Sequence, residues 1–514
     1  MTPGPLEPSE SAYSEPTSSE PTRADGPRPA AFDPERFRCE ARAVVDWIAD
    51  YWQAVESLPV LSRVEPGWVR SQLPPRAPEA PEPLDAVLAD LDRVIVPGLT
   101  HWQHPGFFGW FPANASGPSI LGEVLAAGLG VQGMLWATSP ACTELETHVL
   151  DWLRELLGLP DRFASGGLGG GVIQDSASGG ILCAMIAARE RATAQRTNAA
   201  GLRQDGRPLV AYASVEAHSS VEKAAGIAGI GREWLRRIPV DDHGAMDPAA
   251  LATAIEADTR AGRLPFFVAA TVGTTPSGGI DPVPEIAAVA ARHAAWLHVD
   301  AAWAGAAAAC PEFRGPLVAG AEHADSWSFN PHKWLLVNFD CHALWVADRS
   351  SLIASLSMKP EYLRNAATDS GAVIDYSDWQ VPLGRRFRAL KLWLTLRMIG
   401  ADGLRSRIRD HVAWAGEFAG WVRSDPRFEL LREPSLSLVC FALRAGDEPS
   451  RRLLDQVNRE GTTCLSPARV GGRHALRLAV GGSLTERRHV AAAWQTLAAL
   501  APPVADGTPA AQSP

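Results

Sequence analysis

Lysine is nearly absent from this chain: of 48 basic residues in 514, only Lys223, Lys333, Lys359 and Lys391 are lysine. Arginine therefore carries the surface charge, and arginine stays protonated, whereas a lysine can lose its proton and attack a carbonyl. Cysteine is sparse and scattered (Cys39, Cys142, Cys183, Cys310, Cys341, Cys440 and Cys464), with no CxxC pair. An odd, dispersed set of this kind reads as reduced, mostly buried thiols in a cytoplasmic protein, not as a disulfide framework. Thirteen histidines occur without HExxH or Cys/His ligand spacing, so no metal is expected. Long apolar runs are missing too, and the first thirty residues lack the apolar core of a signal peptide, so neither a membrane span nor export is expected. Net charge is −10 with no uncompensated basic stripe, which argues against nucleic acid as a partner.

What is present is organised in blocks. Residues 1–30 hold seven prolines and almost no large apolar side chains, the composition of a disordered tail. Residues 31–116 form an N-terminal segment that reads as amphipathic helix, broken by the proline-rich stretch Pro74–Pro83 and ending in the aromatic loop His101–Pro112. Ser139-Pro140 then opens a helix, serine as N-cap and proline at the first helical position, with Leu145, Val149, Leu153 and Leu157 on its buried face. From Gly171 apolar runs alternate with helical stretches: strands at Gly171–Gln174, Leu209–Ala213, Phe266–Val272 and Ala295–Asp300, helices at Ile181–Arg191, after His218 and at Pro284–Arg292, then apolar runs near Trp327 and Leu344. This alternation predicts an α/β large domain over 117–394 with a mostly parallel sheet covered on both faces. Residues 395–500, helix-rich with strands near Leu436–Leu443 and His474–Val480, predict a smaller α+β domain, and 501–514 a second loose tail.

Ligands of open parallel sheets bind beyond the carboxyl ends of the strands. Asp175-Ser176-Ala177-Ser178-Gly179-Gly180 stands at such an end and opens a helix, where small residues let a phosphate approach backbone amides at the positive end of the helix dipole. Asp300 closes the run Trp296–Val299; a carboxylate there needs a partner, either an arginine or a cationic ring nitrogen. Lys333 lies between His332 and Trp334, while the other three lysines read as ordinary side chains snorkelling along apolar surface. A phosphate turn, an acid at a strand end and a distinctive lysine together suggest pyridoxal 5′-phosphate, which binds lysine covalently and draws electrons into a ring whose nitrogen is partnered by a carboxylate.

Longer motifs carry a resemblance. Ser139–Glu146, His298–Ala302, Asn330–Cys341 and the stretch from Asp375-Tyr376 through Pro382–Arg388 are similar to the pyridoxal-phosphate-dependent group II decarboxylases, most closely the aromatic L-amino-acid decarboxylases, over residues 35–500. The resemblance implies the aspartate-aminotransferase-like fold (fold type I), a small amino-acid substrate, and a homodimer with shared active sites in which residues 31–116 help to dimerise. By position Lys333 resembles the Schiff-base lysine, Asp300 the partner of the ring nitrogen and His218 the histidine that stacks on the ring. Ala177, Ser178 and Asn330 are similar to the phosphate binders, Thr275 and His332 to further pocket residues, and Leu383 and Gly384 to residues reaching in from the partner subunit. Tyr362 resembles the tyrosine of a mobile catalytic loop, here Ser355–Asp375, which returns a proton to the substrate's α-carbon.

For the substrate, Trp102, Trp110, Phe111, Pro112, Met134 and Gly384 are expected to form an apolar pocket suited to a planar ring. Ala113, Met134, Gln132 and Trp110 depart from the animal aromatic decarboxylases, which carry threonine, phenylalanine, an aliphatic residue and tyrosine there. Gly384 matches the glycine of indole-preferring plant relatives, where tyrosine-preferring ones carry serine, and so leans towards tryptophan. Two other activities compete: oxidative conversion of aromatic amino acids to aldehydes, against which Tyr362 and His218 speak, and decarboxylation of acidic amino acids, which needs a cation at the pocket wall.

Overall fold

The computed structural model describes residues 32–202, 206–358, 366–369 and 373–503. The expected tails, 1–30 and most of 501–514, lie outside the described residues, as do Lys359 and Tyr362. The chain divides into two compact units, Met1–Gln53 and Ala54–Pro514. The described part of the first, residues 32–53, is nearly all of the helix Pro34–Ala54, started by Asp33, whose carboxylate accepts the Glu35 N–H at 3.0 Å, and carrying a Trp47–Tyr51 stack with ring centroids 5.9 Å apart.

The second unit is built on a seven-stranded sheet. Its strands are β1 (Gly170–Gln174), β2 (Leu209–Ser214), β3 (Leu235–Ile238), β4 (Leu264–Thr271), β5 (Trp296–Asp300), β6 (Ser326–Phe329) and β7 (His342–Val346), in the order β1-β7-β6-β5-β4-β2-β3. β2, β3, β4, β5 and β6 run parallel, and β7 is antiparallel to both β6 and β1. Every residue of β1, β2, β5, β6 and β7 is buried, as expected of strands covered by helices on both faces. β3 was not foreseen; its two central arginines, Arg236 and Arg237, interrupt the apolar run.

A second sheet, wholly antiparallel, has the order β10-β11-β9-β8, with β8 Phe428–Leu430, β9 Leu438–Leu443, β10 Ser466–Val470 and β11 Arg473–Ala479. The helix Arg388–Ser424 crosses the expected boundary at 394/395 and bends at Gly400, whose φ of 73° only glycine adopts readily. Its Lys391 corrects the expectation of a snorkelling side chain: it is fully buried and pairs with Glu123 at 2.8 Å, while Lys223 is exposed. All seven cysteines are free, and only Cys39 is exposed. Among the described residues no helix is long and apolar enough to cross a membrane.

Candidate active site

The central strands end together, and their ends set the site. Asp300 is the last residue of β5, buried, with Oδ1 accepting the Ala302 N–H at 3.0 Å. Past the end of β6, the Asn330 N–H donates to the Ala302 carbonyl and the Lys333 N–H to the Asn330 carbonyl, both at 2.9 Å. These bonds wind Pro331–Trp334 into a single helical turn. The Lys333 amine has no hydrogen bond or ion pair among the described residues. Burial pulls its pKa below the ordinary lysine value, Asp300 opposing and Arg477 reinforcing the shift. His218 follows β2; its Nδ1 accepts the Ser220 N–H at 3.2 Å, which leaves Nε2 as the protonated nitrogen of the neutral ring. The side chain is exposed, yet partial desolvation lowers its pKa, with Asp300 opposing and Lys333 reinforcing. Such mutual influence requires proximity, so Lys333, Asp300 and His218 form one cluster.

The turn after β1 forms a helix start, Ser176 accepting the Gly179 N–H at 3.1 Å as N-cap of Ala177–Ala192. Ala177 and Ser178 open that helix and are half-buried. The two glycines have a different reason from the one expected. A methyl group at Gly179 would strike the Asp175 carboxylate, and one at Gly180 would strike His342 Nε2, so they make room for this chain's own side chains. Thr275 is exposed in the turn after β4. His332 is buried, accepts the Cys341 N–H at Nδ1 (2.9 Å), and burial holds its pKa down at about 3.

Of the expected aromatic wall, Trp102 and Trp110 are accessible and stack with centroids 5.6 Å apart. Trp110 adopts φ 47°, a conformation unfavourable for a bulky residue. The small sheet holds it there: its N–H donates to Ser466 Oγ at 3.0 Å and its carbonyl accepts from Arg477. Phe111 turns into the core instead, stacked on Trp303 at 5.0 Å and edge-on to Trp334 at 5.4 Å. Pro112 is buried beside it, and Met134 is half-buried, its carbonyl accepting the Ser377 N–H at 3.0 Å. Gln132 and Gly384 are neighbours: the Arg385 N–H donates to Gln132 Oε1 at 2.5 Å, and a Cβ at 384 would stand 3.2 Å from Gln132 Nε2. A serine there would crowd Gln132. Leu383 is exposed.

Two residues at the site gave no local signal in the sequence. Arg477, on β11, is buried, and its charge reaches Lys333. Asn114 is 2% exposed and joins three segments. Its Nδ2 donates to the carbonyls of Lys333 and, at 2.6 Å, Gly481; its Oδ1 accepts the Ser483 N–H at 2.9 Å.

A half-buried amine without a hydrogen-bond partner among the described residues, a carboxylate and an imidazole within reach of its field, and a helix N-terminus at the end of β1, on the far side of β7 from β6, fit pyridoxal phosphate. Comparison with known proteins agrees. Residues 66–444 match the model of the pyridoxal-dependent decarboxylase conserved domain. The chain is 46% identical over 478 residues to tryptophan decarboxylase 2 of Oryza sativa subsp. japonica, covering 90% of this chain and 94% of that protein. It is equally 46% identical over 478 residues to phenylacetaldehyde synthase of Arabidopsis thaliana, covering 90% and 96%. The crystal structure of Oryza sativa TDC with PLP and tryptamine superposes with a TM-score of 0.89 at 42% identity, covering 92% of this chain and 98% of that one. The chain belongs to the pyridoxal-dependent decarboxylase family, a PLP-dependent carboxy-lyase with the fold of that family.

Proposed function

We propose that this enzyme removes the α-carboxylate of an aromatic L-amino acid, tryptophan in preference to dopa or tyrosine, and releases the amine and CO2. It works as a cytoplasmic homodimer, with Leu383 and Gly384 reaching the partner's site. The bound cofactor supplies an electron sink for the pair left on the α-carbon when CO2 departs. The chain's residues do the rest. Lys333, its ammonium disfavoured by burial, is the amine that would hold the cofactor. Asp300 keeps a positive charge on the ring nitrogen, an interaction worth about 4 kcal/mol at contact with an effective dielectric near 20. His218 packs against the ring, while Ala177, Ser178, Thr275, Asn330 and His332 hold the cofactor's remaining groups. Trp102 and Trp110, with Phe111, Pro112 and Met134 behind them, receive the side chain of the substrate, and Tyr362 returns a proton to the α-carbon.

The observation that carries this reading is the accessible Trp102–Trp110 stack, tied through the Trp110 carbonyl to Arg477, whose charge is felt at Lys333. An accessible, apolar, planar wall favours an aromatic side chain. The tryptophan decarboxylase named above points the same way. Arg477 is a cation of the kind an acidic substrate would need; its Nη1 donates to the Trp110 carbonyl, while its Nε has no partner among the described residues, so glutamate belongs among the substrates tested. The likeness to an aldehyde synthase favours oxidative deamination as the second reading, opposed by the presence of Tyr362 and His218. Product analysis with tryptophan, 5-hydroxytryptophan, dopa, tyrosine, phenylalanine and glutamate decides. Tryptamine as the principal product is expected; glutamate turnover, or aldehyde with peroxide, contradicts the proposal.

A further inference from the structure

His342 opens β7, beside the strand that leads to Lys333, and its side chain is fully buried. Its Nδ1 stands 2.6 Å from Asn330 Oδ1, and the Phe329 carbonyl is a further acceptor near the ring. An oxygen that can only accept requires Nδ1 to carry the proton. Nε2 faces the space left by Gly180 and has no hydrogen-bond partner. Burial disfavours a second proton, so the ring stays neutral with its single N–H at Nδ1.

The consequence falls on Asn330. Its backbone is fixed at both ends, N–H on Ala302 and carbonyl on Lys333. With Oδ1 occupied by His342, the amide has one orientation, and Nδ2 is left free to donate elsewhere. A phosphate dianion only accepts hydrogen bonds, so an amide turned the other way would offer it an oxygen. We propose that His342 is a positioning residue which, by donating from Nδ1 to Asn330 Oδ1, presents the Asn330 amide nitrogen to the phosphate of the cofactor. This rests on the reading of Asn330 as a phosphate ligand.

The test titrates the full-length protein, freed of cofactor, with pyridoxal phosphate and with pyridoxal, which lacks the phosphate, following tryptophan fluorescence. Asparagine at 342 keeps an N–H near the place of Nδ1, whereas glutamine puts its amide near the place of Nε2. His342→Leu and His342→Gln are expected to weaken pyridoxal phosphate binding about tenfold, the worth of one hydrogen bond to a charged group's ligand, and to leave pyridoxal unchanged. His342→Asn is expected to stay within about twofold of the native protein. Equal losses for both ligands, as from a merely damaged core, overturn the proposal, and so does an Asn variant as weak as the Gln variant. Should His342→Leu fail to fold, the Asn and Gln pair decides alone. Asn330→Ala separates the two levels: unchanged phosphate preference there removes Asn330 as a phosphate ligand, whereas a loss there with none in His342→Leu removes only the role of His342.

Discussion

Burial and charge act on the Lys333 amine in opposite directions: enclosure disfavours the ammonium, the Asp300 carboxylate favours it, and enclosure prevails. The result is an amine readier to react than a surface lysine. Its identity was legible in the sequence because lysine is so scarce and because Asn330–Cys341 is so distinctive. Arg477, Asn114 and His342 were not, since their meaning lies in partners remote in the chain. Asn114 meets Lys333 across 219 positions and Gly481 across 367. Gly179 and Gly180 were legible as small residues of a turn, but the space they leave for Asp175 and for His342 of β7 was not, because those side chains meet them only in the fold. At Tyr362 the expectation concerns protonation. If the proposed donor is this hydroxyl, its removal delays return of the proton to the α-carbon and lets oxygen compete. Tyr362→Phe should therefore shift products from amine to aldehyde, ammonia and peroxide, with oxygen consumed. Unchanged amine yield and no peroxide in a coupled peroxidase assay remove the tyrosine from that role.

Among the elements, long buried strands and capped helices were readable, and short or charged ones were not. β2, β4 and β5 are mostly apolar and almost wholly buried, and Ser139-Pro140 starts the helix Pro140–Leu157 as its cap chemistry requires. β10, in contrast, contains Pro467 and Arg469 and lies at the edge of the small sheet, where proline is tolerated. One tie between the two sheets bears on the site. Glu216, two residues before His218, accepts from Arg432 at 3.0 Å, from Thr274 Oγ1 at 3.0 Å and from Ser277 Oγ. The Glu216 and Arg432 side chains are each 11% exposed. Removing the cation leaves a largely buried carboxylate without its counter-charge, a loss of roughly 3 kcal/mol. Arg432→Met should lower the denaturation midpoint, and loosening of the His218 loop should reduce kcat more than it raises KM. A variant with native kcat shows that the tie is structural only.

For the molecule as a whole, buried histidines dominate the response to acid. Burial holds His298 at about 4 and His332 and His411 at about 3, and it lowers His342 well below the ordinary 6.5. Between these values and 6.5 the unfolded chain binds protons that the native one refuses, so their contribution to stability is present above about 6.5 and lost as pH falls. Asp281 acts the other way: burial raises it to about 7, so the native state binds its proton and that contribution fades as pH rises towards 7. The histidines outnumber it, and stability should fall by on the order of 3 kcal/mol per pH unit from about pH 6.5 to 4.5. Thermal midpoints that are flat across this range, or that rise on acidification, contradict the burial described here.

The claim on which the account rests is a covalent bond between Lys333 and the cofactor. Reduction of the purified enzyme with borohydride, followed by peptide mass spectrometry, tests it most directly. The account predicts one pyridoxyl-phosphate adduct, on the peptide containing Lys333, and none in the colourless Lys333→Ala protein. An adduct on Lys223, Lys359 or Lys391 in its place, or no adduct on a protein that still turns over, would contradict it.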